Sequence, residues 1–106
     1  MKEIAYLKYL DAEEKELLRI RIWTHKGKVE DLVVQYESLI LGKWHIILRY
    51  DCSHGFFHRD VLFLNGTKEK QVISITSIQD ALNYAEQDLK DRWDFYRERY
   101  IKKMRK

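Results

Sequence analysis

The hydrophobic period of this chain changes once, near Thr76. Before that point apolar residues recur at every second position; beyond it they recur at every third or fourth. A period of two marks strands with one covered face, and a period near 3.6 marks an amphipathic helix. Ile78, Leu82, Ala85, Leu89, Trp93, Tyr96, Tyr100 and Met104 form one continuous helical stripe. Thr76 and Gln79 have the spacing of a capping box. Ser77 with Asp80 offers the same chemistry one residue later.

Upstream, Leu18, Ile20 and Ile22 alternate with Arg19, Arg21 and Trp23 over a strand at 17–24. Further strands are expected at 29–40, 44–51, 56–64 and 71–75. An extended piece at 4–10 adds an edge. The breaks between them hold Gly27, Gly42 and the Asn65-Gly66 pair, all turn signals. Turns this short join only antiparallel neighbours. The predicted fold is therefore α+β: an antiparallel meander sheet of four to six strands covered by one long C-terminal helix. A sheet with one bare apolar face needs a cover, and this helix is the sole candidate. About 30 residues of helix span ~45 Å, whereas ordinary strands of this kind span ~20–30 Å. The end of the helix is therefore expected to overhang the sheet, leaving Trp93, Tyr96, Tyr100 and Met104 to be covered by a second subunit or a folded-back N-terminal segment.

Composition narrows the class further. A chain of 106 residues, 45% apolar, suits a single domain over 1–106 with one modest core. Twenty basic residues against 17 acidic ones leave a formal charge of +3, a mixed surface and not a polycation. No apolar run reaches the ~20 residues of a membrane span, and the first residues lack the apolar region of a signal peptide. A lone Cys52 fits a reducing, cytoplasmic setting.

Chemistry-bearing residues crowd into one stretch, Arg49-Tyr50-Asp51-Cys52-Ser53-His54-Gly55-Phe56-Phe57-His58-Arg59-Asp60. A two-residue turn at His54-Gly55 pairs Asp51 with His58, Arg49 with Asp60, Tyr50 with Arg59 and Leu48 with Val61. A slip of one residue would destroy both charge pairs and mismatch the apolar faces. As plain cross-strand pairs, these contribute roughly 0.2–1 kcal/mol each. As a site, Asp51 orients His58 and favours its protonated form, making His58 a general acid or base, with His54 at the turn as a further catalytic candidate. Arg49 and Arg59 then hold a phosphate. No metal is expected, because His54 and His58 on a hairpin are not neighbours as they would be on a helix. Cys52 reads as a small apolar filler. The end of an exposed hairpin carries little core energy, so changes here are expected to spare the fold.

The last ten residues carry six basic groups against one acid. Cations at a helix C-terminus suit its macrodipole. Lys102 and Lys103, with the neighbouring aromatics, could also grip RNA by phosphate contact and stacking.

Tyr50, Asp51, His54, Gly55, His58 and Arg59 resemble the Tyr-Asp-x-x-His-Gly-…-His-Arg signature of the TumE-type toxins of toxin–antitoxin systems, and the helix entry at 76–82 resembles theirs in placement. The resemblance implies a strand-rich body with a C-terminal helix, RNA as target and a small antitoxin as partner. Two function classes follow. One is a metal-independent, ribonuclease-like protein with His58, Asp51 and His54 as catalytic groups and no cofactor. It would bind nucleic acid through Arg49, Arg59, Tyr50, Lys102 and Lys103. The other is a non-catalytic module that forms a homodimer through its helix.

Overall fold

The computed structural model describes residues 2–52, 56–75 and 77–102. Six strands, β1 (Lys2–Tyr9), β2 (Glu16–His25), β3 (Lys28–Ile40), β4 (Lys43–Asp51), β5 (His58–Leu62) and β6 (Lys68–Val72), precede one helix, α1 (Ile78–Lys102). The strands form one antiparallel sheet in the order β1-β2-β3-β4-β5-β6. The expected meander and its helical cover are both present.

Local chemistry explains the turns. Lys26-Gly27 and Leu41-Gly42 each take two consecutive positive φ angles, 52° and 77° in the first and 51° and 79° in the second. That is the type I′ conformation, whose twist matches paired strands. Gly66 closes the β5–β6 turn by donating its N–H to the Phe63 carbonyl at 3.0 Å. Because this turn is tight, pairing begins at Leu62 and Lys68. Strand β6 thus lies three residues earlier than the expected 71–75. Ile73 and Ile75, the residues that suggested the later strand, instead pack against the core on the way to the helix.

Ser77 caps helix α1: its Oγ accepts from the Asp80 N–H at 3.4 Å and its carbonyl accepts from the Ala81 N–H at 2.9 Å. Thr76, the other expected cap, lies outside the described residues. The helix buries Leu82, Ala85, Leu89, Tyr96 and Tyr100 on Leu18, Ile20, Leu32, Val34, Tyr36, Leu48 and Tyr50. Among the described residues the expected overhang does not occur, because β3 has 13 residues and matches the 25-residue helix in length. Tyr100 reaches His45 on β4, with its hydroxyl 3.0 Å from the ring Nδ1. Tyr96 packs over Arg59 on β5. Both aromatics are covered by the chain's own strands. Met104 lies outside the described residues.

One irregularity shapes β4. Tyr36 faces Leu48, but Glu37 faces Ile46, so Ile47 is the extra residue of a bulge. Ile47 and Leu48 both point into the core, and Ile46 turns outward, 42% exposed. Simple alternation would have put Ile46 inside with Leu48.

The helix–sheet seam is not wholly apolar. Asp88 Oδ2 accepts from the Tyr50 hydroxyl, from the Tyr96 hydroxyl at 2.7 Å and from Arg59 Nη1 at 3.2 Å. Arg59 also donates to both tyrosine oxygens, at 3.1 and 2.9 Å, and through Nε to Gln71 at 2.7 Å. A second polar cluster joins Tyr36 to Glu16, with Arg97 3.7 Å from the same carboxylate.

Two predictions arise here. Leu41 is 92% exposed and sits at positive φ, a conformation that costs a non-glycine residue roughly 1–2 kcal/mol. Leu41→Asn, which suits the type I′ turn, is expected to raise stability in urea unfolding; an unchanged or lower midpoint refutes it. The second concerns alkaline pH. Burial, and then the Asp88 carboxylate, push the Tyr50 phenol above the ordinary tyrosine range, with Arg59 pulling the other way. The same two causes raise Tyr96 to about 12. The folded state therefore holds these protons more tightly than the unfolded chain. The resulting stability is complete below about pH 10 and is lost as pH rises through the folded values. Urea midpoints are expected to fall above about pH 10, and to fall less steeply in Tyr50→Phe. Level midpoints across that window refute it.

Candidate site on the uncovered face of the sheet

Helix α1 covers one face of the sheet and leaves the other open. Strand alternation decides which residues reach the open face. Tyr50 and Arg59 point inward to Asp88, so Arg49, Asp51, His58 and Asp60 must point outward. The pairing is Leu48 with Val61, Arg49 with Asp60, Tyr50 with Arg59 and Asp51 with His58, as the charge pattern requires. The turn residue His54 lies outside the described residues.

His58 is the centre of the cluster. Its side chain is only 6% exposed, and those of Asp51 and Asp60 are 13% exposed. Nε2 lies 3.0 Å from Asp51 Oδ1 and 3.9 Å from Asp60 Oδ2, and Nδ1 lies 3.3 Å from the Phe56 carbonyl oxygen. Both ring nitrogens thus face oxygen acceptors. Arg49 faces Asp60 in register, but its guanidinium turns along its own strand to Asp51, 3.6 Å away. Asp60 turns to His58 instead, and its Oδ1 is buried with no hydrogen-bond partner among the described residues. Cys52 borders the cluster, its thiol pushed up to about 11 by burial, then by Asp31 and Asp51. That is the wrong direction for a nucleophile at neutral pH.

Two adjacent rows of side chains cross the open face. One runs Arg19, Gln35, Arg49, Asp60 and Lys70; the other runs Arg21, Val33, Asp51, His58 and Val72. A shallow depression is lined by Arg19, Arg21, Trp23, Val33, Gln35 and Arg49. The three arginine side chains are 46–50% exposed, and each leans on a carboxylate: Arg19 on Glu37 and Arg21 on Glu3 at 2.8 Å, Arg49 on Asp51. Arg21 also lies 5.4 Å from the Trp23 ring centre.

The expected site residues therefore divide. Arg49, Asp51 and His58 come together on the open face. Tyr50, fully buried, and Arg59, locked in the seam, lie on the opposite face, so Arg49 and Arg59 do not form one phosphate clamp. Lys102 is exposed at the end of α1, far along the chain from the hairpin, and Lys103 lies outside the described residues. Pattern reading missed Asp60 as a partner of His58, although their spacing of two on one strand places them on one face. It also missed Arg19, Arg21 and Trp23, whose alternation already set them opposite the core residues of β2.

Fold and site together define an α+β protein with a one-sided meander and an Asp–His–Asp cluster on its bare face. The chain belongs to the DUF7718 family, a domain of unknown function whose family model matches residues 1–106. No curated protein and no solved structure matches it. Among the described residues, no helix is long and apolar enough to cross a membrane.

The burial of His58 corrects the expectation that changes at the hairpin end spare the fold. His58→Ala leaves two carboxylates facing each other without the ring between them, an uncompensated burial costing about 1–3 kcal/mol. The variant is expected to unfold at lower urea than wild type. A midpoint within error of wild type shows that His58 does not offset those charges.

Proposed function

We propose that this protein acts on RNA through the uncovered face of its sheet. Arg19, Arg21 and Arg49 bind phosphates, Trp23 offers a ring for base stacking, and the Asp51–His58 pair is the reactive centre. The observation that carries this reading is the row geometry. Arg49 lies beside Asp51, which pairs with His58; Arg19 continues the row of Arg49 across β3 onto β2, and Arg21 continues the row of Asp51 and His58. Phosphate binding by arginine exploits a planar fork of donors, and open sheet faces bearing aromatic rings suit single-stranded RNA. The resemblance of Tyr50 to Arg59 to the TumE-type signature favours the same reading and adds a small antitoxin as partner; the lone Cys52 suits a reducing, cytoplasmic setting.

A fluorescent single-stranded RNA titrated at several salt concentrations tests this. Arg21→Ala and Arg49→Ala are expected to weaken binding most at low salt, each lowering the salt slope by about one. His58→Gln is expected to abolish cleavage while RNA binding persists. Absence of both binding and cleavage in folded wild type ends the reading.

A second reading, a non-catalytic dimeric module, is favoured by one observation. Strand β1 is an open edge carrying exposed Ile4, Leu7 and Tyr9. Such edges pair readily with another strand. A dimer in light scattering, together with no RNA affinity in the same titration, identifies this reading.

A further inference from the structure

We propose that Asp51, His58 and Asp60 form a binding site for one divalent transition-metal ion. One donor atom from each residue lies within 4.8 Å of the other two. A cation with ligand distances near 2.1 Å holds its donors roughly 3.0–3.4 Å apart. Asp51 Oδ1 and His58 Nε2, at 3.0 Å, already have that separation. Asp60 Oδ2, at 3.9 Å from the same nitrogen, lies outside that range and must swing inward to complete the set. All three residues stand on paired strands in fixed register, so the backbone positions are set before any ion arrives.

Two further observations point to a cation. The first is the orientation of the ring. Nδ1 donates its N–H to the Phe56 carbonyl at 3.3 Å. A neutral imidazole then turns the Nε2 lone pair toward a carboxylate oxygen 3.0 Å away. Two electron pairs facing at that distance need a positive charge between them, either a proton or a metal ion. A histidine that ligates a metal through one nitrogen usually donates from the other to a carbonyl or carboxylate, which fixes its tautomer. The second is Asp60 Oδ1, a buried carboxylate oxygen with no hydrogen-bond partner among the described residues. Buried polar atoms are nearly always satisfied, and a bound ion adds positive charge beside this oxygen. Two carboxylates also neutralise a divalent charge.

The donor set of one imidazole and two carboxylates selects the ion. Imidazole suits zinc, copper, iron and nickel, and carboxylates suit manganese and magnesium. A mixed set favours first-row divalent ions over calcium or magnesium, and Zn²⁺ and Mn²⁺ are the appropriate probes. The role of the ion in cleavage rests on the RNA reading; its binding does not. With an ion bound, His58 is a ligand and not a proton carrier.

The test uses the full chain, stripped of metal and kept folded, with no RNA present. Titration calorimetry with Zn²⁺, and electron paramagnetic resonance with Mn²⁺, are expected to show saturable binding of one ion per chain. Histidine ring nitrogen resonances are expected to shift at His58 Nε2 on adding Zn²⁺. Asp60→Asn, close in shape to the native residue, is expected to weaken binding at least about tenfold; Lys43→Gln, exposed at the other end of β4, is expected to preserve it. The resonance measurement needs no variant, so misfolding of Asp60→Asn does not obscure the result. Lack of saturable binding by wild type, or binding that leaves the His58 ring unshifted, overturns the site. Cleavage assays with chelator then separate the two proposals. Cleavage that survives chelation keeps the RNA reading and removes the ion from the reaction, whereas ion binding with neither RNA binding nor cleavage keeps the site and removes the RNA reading.

Discussion

One carboxylate oxygen, Asp88 Oδ2, receives hydrogen bonds from Tyr50, Tyr96 and Arg59 where the helix meets the sheet. This junction ties α1 to β4 and β5 by groups that cannot be left unpaired. Removing one partner from a buried charge pair costs about 3–5 kcal/mol. It also sets a parity. With Tyr50 held inward on β4, residues 49 and 51 face outward; with Arg59 held inward on β5, residues 58 and 60 do the same. The cluster on the open face is thus aligned from the far side of the sheet. The hydrogen bonds that align it lie under the helix, away from any molecule bound on the open face.

Much of this was readable from residue order. The hairpin register follows from two charge pairs and one apolar pair that agree only in a single alignment, and the structure has that alignment at Leu48–Val61 through Asp51–His58. The period change near Thr76 correctly separated sheet from helix. The failures have physical causes. Arg59 was expected to hold a phosphate with Arg49, and nothing local reveals that Asp88, 29 positions later, waits across the seam. Asp60 was matched to Arg49 by register, but a long guanidinium side chain chooses among several carboxylates, and here it takes Asp51. The overhanging helix was expected from ordinary strand lengths, and β3 is much longer than ordinary.

The open face has little net charge to spare. Arg19, Arg21 and Arg49 each rest on a carboxylate, in keeping with a chain whose formal charge is only +3. An incoming phosphate must therefore compete with Glu37, Glu3 and Asp51 for its arginines. Such exchange favours a ligand that engages several arginines together over a single free anion. It also leaves those side chains held on the sheet in the unbound protein, and not spread through solvent.

The bulge at Ile47 divides β4 into two stretches with independent parity. Between Lys43 and Ile46 the strand pairs with β3 in one phase, and from Leu48 to Asp51 it pairs in the other. A residue inserted or deleted near the Leu41-Gly42 turn therefore meets a point where the phase is already broken, and the reset at Ile47 can absorb it. The same change between Leu48 and Asp51 would turn Tyr50 out of the seam and the carboxylate of Asp51 into the core. A change of length in this strand is thus expected to be tolerated only at the end away from His58.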